Sequence, residues 1–366
     1  MRLLIRGLGQ APVDLGVVQG GWVEGALIAA DSVDLSGFFS MPGLADAHLH
    51  LSADRMVMDG ADIGEVRRRA FASVKGGVFL GLDKGWCDEV VLAILSDPRE
   101  VRPDLQACGR MIATRGGYFP DFAEEVDDDD LAAAVGASAA RTNGWVKIVG
   151  DWPRKGRGAL PNFTEDALRA AVEVAHRAGA RVAVHTMARD VPSMAVRAGV
   201  DSIEHGLFLT DEDLRLLGAR GGAWVPTVVN VEAVIEQIGA ASSGGRLLSE
   251  GLDRVRQLLP GAAAAGVSVL AGSDLAVPHG RIGLEAARLV SYGLDPTEAV
   301  AATSDAAYAY AGVRAGFRPG LPADLVAFEA DPRQQIEALA DPRLVIRSGS
   351  VLHDPLGILS SSRPTP

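Results

Sequence analysis

The stretch Pro42-Gly43-Leu44-Ala45-Asp46-Ala47-His48-Leu49-His50 decides how this chain is read. A Pro-Gly turn is followed by an apolar run over 44–47, and the run leads straight into a His-x-His pair. Side chains of a strand alternate faces, so His48 and His50 point the same way, about 6–7 Å apart along the strand. Two imidazoles so placed can converge on one cation. An isolated His-x-His is more often a pair of partly exposed histidines in the turn after a strand. The rest of the set changes that reading. The chain has only seven histidines, and His185 and His205 also end short apolar runs, as do Lys147 and Asp274.

Outward from this stretch the chain changes character on either side. Residues 1–41 alternate short apolar runs with Gly, Pro and Asp turns, the pattern of a small β region with hairpins. From Leu44 onward strand and helix patterns alternate. Candidate strands lie near 44–48, 77–82, 105–110, 145–149, 181–185, 201–204, 223–226 and 267–272. The clearest helix spans 164–178. Its apolar residues Ala167, Leu168, Ala171, Val172 and Ala175 recur at i, i+3 and i+4, Thr164 can cap its start and Gly179 its end. Four acids at 127–130 open another helix and suit the positive end of its dipole. Eight strands alternating with helices over roughly 270 residues predict an α/β fold, a (β/α)8 TIM barrel.

The segment 275–283 reads as a loop, followed by helical stretches near 284–291 and 296–311. A turn and strand follow at 318–328, and a last hairpin at 344–352. The simplest partner for these strands is the N-terminal β region. The expected organisation is therefore a barrel over 42–319 beside a small β-sandwich-like domain built from both termini, 1–41 and 320–366. The Ser- and Pro-containing tail after Leu359 is expected to fray.

Composition bounds the function. The chain has 366 residues, a hydrophobic fraction of 48% and a net charge of −12. That charge argues against nucleic acid or an anionic membrane surface as partner. No stretch approaches the ~20 apolar residues of a transmembrane helix, and the first residues make too short an apolar run for a signal peptide. Cys87 and Cys108 have no zinc-type spacing and read as buried thiols of a reducing compartment. The expectation is a cytoplasmic protein acting on a small molecule; a homo-oligomer is compatible with it.

In a barrel of this kind the functional face is the C-terminal end of the strands. His48 and His50 end the first, Lys147 lies in the fourth, His185 ends the fifth, His205 follows the sixth and Asp274 follows the eighth. All six converge on one mouth. Four histidines and a carboxylate suit zinc or a similar divalent ion. Lys147 has a plain alternative, an ion pair with Asp83. As an ammonium it cannot be a ligand, but a buried lysine can lose its proton. On adding carbon dioxide it becomes a carbamate, whose two oxygens can bridge two metals about 3.5–4 Å apart.

These residues, with Pro42-Gly43-Leu44-x-Asp46-x-His48-x-His50, Val146-Lys147-Ile148, Val184-His185, Ile203-Glu204-His205-Gly206 and Gly272-Ser273-Asp274, resemble the metal-dependent amidohydrolase superfamily. The look-alikes are its imidazolonepropionase-like and prolidase-like members, among them Xaa-Pro dipeptidases and carboxypeptidases for basic residues. The resemblance covers essentially the whole chain. It implies a hydrolase that cleaves an amide carbon–nitrogen bond of a dipeptide, N-acyl amino acid or cyclic amide by metal-activated hydroxide. It implies two divalent metals, zinc by expectation, with His48, His50 and Asp274 at the first and His185 and His205 at the second. Carboxylated Lys147 would bridge them, and Asp274 would be catalytic, relaying a proton to the leaving nitrogen. Tyr118, in the retained Gly116-Gly117-Tyr118, is a candidate substrate contact. A mononuclear deaminase or imidazolonepropionase-type hydrolase of a cyclic substrate, with Lys147 a free amine, is the alternative. A non-catalytic relative is disfavoured because no ligand position is lost.

The fourth-strand loop, Asp151-Trp152-Pro153-Arg154-Lys155-Gly156-Arg157-Gly158, carries three cations and overhangs the expected mouth. Charge runs of this kind are usually solvated faces. The functional expectation is that Arg154 or Arg157, or Lys155 beside them, attracts a substrate carboxylate, with His279 bonding the same end.

Overall fold

The first barrel strand, Leu44–Leu49, is buried on both faces, as are Val78–Asp83 and Trp145–Val149. Strands covered on both sides read as continuous apolar runs, which is the pattern of a parallel sheet. The computed structural model describes residues 1–30, 32–54 and 59–359. Over these it is a mixed α/β fold with a TIM-barrel-like arrangement of strands.

Leu44–Leu49, Val78–Asp83 and Asp104–Ala107 form one parallel ladder. Trp145–Val149, Arg181–Thr186, Ser202–His205, Ala223–Val225 and Ser268–Val269 form a second, extended at one edge by the short pieces Ile112–Ala113 and Glu124–Glu125. The sequence predicts one closed ring of eight strands; here the ring is two arcs. On one side Ala47 N donates to Ala271 O at 2.8 Å and Asp274 N to His48 O at 2.7 Å. On the other side the Asn143 side chain takes the place of a ladder. It accepts from Ala107 N at 2.6 Å and donates to Leu105 O at 2.7 Å.

The third strand stops at Ala107 rather than near 110 because the backbone turns at Gly109, φ +66°. There Gly109 O lies where a Cβ on Gly85 would stand. The interior below the mouth is filled by small and medium residues, including Ala45, Ala47, Leu80, Ala183 and Leu270.

The helices follow their sequence patterns. Thr164 accepts from Ala167 N and starts Glu165–Arg177, whose Leu168, Ala171, Val172 and Ala175 are buried. Asp128–Arg141 has three acids in its first turn. The helical stretch expected over 296–311 is split into Pro296–Ala302 and Asp305–Ala311. The break has a local cause: the hydroxyls of Thr303 and Ser304 both donate back to Val300 O, competing with the backbone. The stretch at 151–158, expected as a loop, is half of a hairpin that pairs Asp151–Arg154 with Gly158–Pro161. Positive φ at Gly156 and Gly158 allows the tight reversal.

Strands from the two chain ends share one sheet of seven strands. Val326, Ala327 and Phe328 pair with Met41, Ser40 and Phe39. Its outer N-terminal strand also bonds to the segment before Leu325, Trp22 N donating to Leu321 O at 2.8 Å, and residues from both chain ends share one core. Arg347, fully buried, ties this sheet to the barrel. Its guanidinium reaches Asp324 at 2.6 Å and Asp104 at 3.1 Å and lies 4.7 Å over the Phe79 ring. The tail after Leu359 lies outside the described residues. Among the described residues no helix is long and apolar enough to cross a membrane.

Candidate metal centre

His48 and His50 bring their Nε2 atoms to 3.2 Å of one another, because each ring is held from behind. His50 Nδ1 donates to Gly85 O at 2.5 Å, so its Nε2 faces inward with a free lone pair. His48 Nδ1 stands 2.5 Å from Glu204 Oε2. Asp274 Oδ1 lies 3.3 Å from His50 Nε2 and 3.9 Å from His48 Nε2. Ligand atoms of these three buried residues fit within 4.8 Å of one another. The outer oxygen of Asp274 accepts from Asn230 Nδ2 at 2.7 Å.

His185 and His205 make a second pair, His205 Nε2 to His185 Nδ1 at 2.9 Å. His205 Nδ1 is tied to Thr227 Oγ1 at 2.6 Å. The rings of His48 and His205 are 5.4 Å apart, which joins the two pairs. Six described non-glycine residues have positive φ, and His205, Thr227 and Asp274 are three of them. Such strain collects where a surrounding structure fixes a site.

Lys147 is buried between the pairs, and its Nζ has no hydrogen-bond or ion-pair partner among the described residues. Asp83, the partner offered by the plain alternative, instead accepts from Leu51 N at 2.8 Å and Gly85 N at 2.9 Å. The buried cation that is paired is Lys84, 3.0 Å from Glu204 Oε1. Sequence reasoning passed over both Lys84 and Glu204. The signal was present, since a glutamate inside a doubly covered strand needs a buried partner.

Burial sets the protonation of the site. It pushes His48 down to about 4 and His205 to about 3, and holds His185 well below its usual value. Burial lowers Lys147 too; Glu204 opposes this, and the nearby Lys84 adds to it. Burial alone would raise Asp274, but the imidazoles of His48, His50 and His205 outweigh it and hold the carboxyl well below the usual range. Neutral imidazoles with converging lone pairs, one carboxylate and an unpartnered amine are a donor set suited to divalent cations.

The six groups line one cavity of about 1410 Å³. Tyr118, Arg154 and Lys155 also line it. Arg157 sits on the exposed turn of the hairpin and is outside the lining, as is His279, which lies near Arg69, His50 and Glu65. Asn230, Trp86 and Trp152 line the cavity without having been singled out from the sequence.

The amidohydrolase family model matches residues 153–352. An uncharacterised protein of Mycobacterium tuberculosis is 35% identical over 370 aligned residues, covering 95% of each chain. The ochratoxinase of Aspergillus niger is 26% identical, covering 83% of this chain and 73% of that protein. The crystal structure of a Xaa-Pro dipeptidase with bound methionine matches with a TM-score of 0.76 at 22% identity, covering 93% of this chain and 95% of that one.

Proposed function

The chain belongs to the amidohydrolase family and acts on carbon–nitrogen bonds, and from that premise we propose a metal-dependent hydrolase of a small amide that carries a free carboxylate. The observation that carries this is the donor set at the cavity floor. Each of His48, His50 and His205 has one nitrogen tied from behind and the other turned inward, and the Lys147 amine has no partner among the described residues.

His48, His50 and Asp274 would hold one divalent ion and His185 and His205 a second, zinc being the first choice for this set. When bound, the ions supply Lewis acidity, polarising the scissile carbonyl and making water nucleophilic near neutral pH. Lys147 would serve this centre as a carbamate, formed when its amine adds carbon dioxide and loses one proton, and would then supply an anionic ligand. Asp274, held as a carboxylate, takes the proton of the attacking water and passes it to the leaving nitrogen. Asn230 keeps its outer oxygen in place during that exchange. Arg154 offers the substrate carboxylate a charged donor at the mouth, and Tyr118 packs beside it. A dipeptide or N-acyl amino acid fits this description.

On this reading the catalytic unit is residues 42–319, with 1–41 and 320–366 as one accessory β unit, in a cytoplasmic enzyme. A second reading, a single-ion deaminase or imidazolonepropionase-type hydrolase, is favoured by one fact. Among the described residues only His48, His50 and Asp274 form a group of three metal-type ligands.

Metal analysis separates the two readings: about two ions per chain for the first and about one for the second. Lys147→Ala should lose the second ion and most activity, and a short carboxylic acid should restore part of both. A Lys147→Ala protein that keeps full metal content and rate would sink the bridging role.

A further inference from the structure

We infer, building on the two-ion reading above, that Asp151 is the positioning carboxylate of His185: it accepts from the outer ring nitrogen and so reserves the inner one for the second ion. His48, His50 and His205 are tied from behind by Glu204, Gly85 O and Thr227. His185 turns its Nδ1 toward His205, so its outer nitrogen is Nε2. The group that faces Nε2 is Asp151 Oδ1, at 3.9 Å.

Asp151 is 1% exposed, and its two oxygens are used differently. Oδ2 accepts from Met187 N at 2.8 Å and Ala188 N at 3.0 Å, in the turn that follows the strand Arg181–Thr186. Oδ1 is shielded from solvent and has no hydrogen-bond partner among the described residues. The backbone beside it is closed up as well. Gly150 N donates to His185 O at 3.0 Å, and a Cβ on Gly150 would meet that oxygen at 2.6 Å. The carboxylate is therefore anchored to the chain around His185, and its unused oxygen is delivered to the ring. A buried acceptor without a donor is costly. The donor that answers it is an Nε2–H, and a small ring rotation covers the remaining ~1 Å to hydrogen-bond length.

The chemistry of imidazole gives this pair its role. A neutral ring carries one proton, on one nitrogen or the other, and only the bare nitrogen can bind a cation. A carboxylate can only accept. Facing Nε2, it selects the tautomer with the proton there and leaves Nδ1 bare on the side of His205. The plainer role, a clamp on the turn after His185, uses Oδ2 alone. Asparagine separates the two roles. Only its carbonyl oxygen can accept from Met187 N and Ala188 N, so Asp151→Asn keeps the clamp and turns its NH2 toward the ring. That NH2 donates, which selects the opposite tautomer and puts the proton on Nδ1, where the ion should bind.

The test is competition for zinc between the loaded protein and a chromophoric chelator. It is run at about pH 8.5, where the Asp151 carboxyl, pushed up to about 7 by burial against the pull of its two N–H donors, is ionised. Asp151→Asn should weaken the second zinc, the one that His185→Ala also loses, by roughly 10- to 100-fold and leave the first unchanged. An unchanged second zinc, or an equal fall for both, overturns the inference. If the wild-type protein binds a single zinc, the two-ion reading is what fails, and the ring tautomer then decides. Heteronuclear NMR of the metal-free chain with labelled histidine, His185 being assigned through His185→Gln, should show Nε2–H in the wild type and Nδ1–H in Asp151→Asn. A wild-type His185 protonated at Nδ1 overturns the proposal, whether or not the variant folds.

Discussion

The two halves of the candidate metal centre are built to different degrees. His48, His50 and Asp274 hold their ligand atoms within 4.8 Å, and each has a protein partner behind it: Glu204, Gly85 O and Asn230. In the other half His205 is braced by Thr227, but Lys147 ends without a partner among the described residues. His185 is also the most exposed of the four rings, at 12% of its side chain. The difference teaches where the protein itself specifies geometry. The first half is preformed by buried charges that folding must already satisfy. The second half is completed only by what binds there, on the reading proposed above.

The sharpest way to break this contrast is to remove the brace. Glu204 touches His48, Lys84 and Ser202 with no exposed side-chain surface. Glu204→Ala strands the Lys84 cation in the interior and should cost roughly 3–5 kcal/mol of stability, read as a lowered urea midpoint. The double variant Lys84→Met/Glu204→Gln should regain much of that loss, since no buried charge is left alone. A Glu204→Ala protein with the wild-type midpoint would show that the first half does not depend on this pair.

Metal content sharpens the contrast next. His50→Ala should lose both ions, because the preformed half nucleates the centre, whereas His185→Ala should keep about one ion per chain. Equal losses in the two variants, by elemental analysis after dialysis, would erase the distinction between the halves.

What could be read from the sequence follows the same division. All six ligand-type residues were legible because a parallel strand fixes where its end lies and which way its side chains face. His48, His185 and His205 each sit where an apolar run stops. Which residues pair as braces was not legible, even where Glu204 in a doubly covered strand called for a buried partner. Glu204 and Lys84 are 120 residues apart in the chain, and only the barrel brings them together. Asn230 lies in the first turn of a helix, where nothing local marks it as a partner of Asp274. The hairpin over 151–161 was hidden by its own charges, which pointed to a solvated loop while Trp152 beside them faced the cavity. The terminal unit was inferred from leftover strands, and short strands alone do not give their order in the sheet.

Asn230 gives a smaller effect on the preformed half. Its amide donates to the outer oxygen of Asp274 at 2.7 Å, a bond that favours the carboxylate form. Asn230→Ala should lower kcat/KM by roughly 10- to 100-fold, the worth of one hydrogen bond to a charged group. Losing the donor also raises the Asp274 pKa, so the acid limb of the kcat/KM profile should move to higher pH. An unshifted limb would mean that Asn230 only fills space.

The last test concerns a support that serves both halves. Glu285 is fully buried and accepts from Val228 N at 2.7 Å and Val229 N at 2.9 Å. It thereby clamps the turn that carries Thr227 behind His205 and Asn230 behind Asp274. Burial pushes its carboxyl up to about 8 from the ordinary 4.5, against the opposing pull of those two N–H groups. Below the ordinary value the group is protonated both folded and unfolded. Between the two values the folded state keeps a proton that the unfolded state has lost, so the stabilisation fades as pH rises. The limiting slope is about 1.4 kcal/mol per pH unit for one proton. Glu285→Gln cannot titrate. It should show a constant offset from the altered bonds to Val228 and Val229 and should lack this slope. Urea unfolding of both proteins at several values between pH 5 and 8 measures the difference. Parallel stability curves would mean that Glu285 enters the folded protein as a carboxylate, held by the N-terminal N–H groups of the helix it caps.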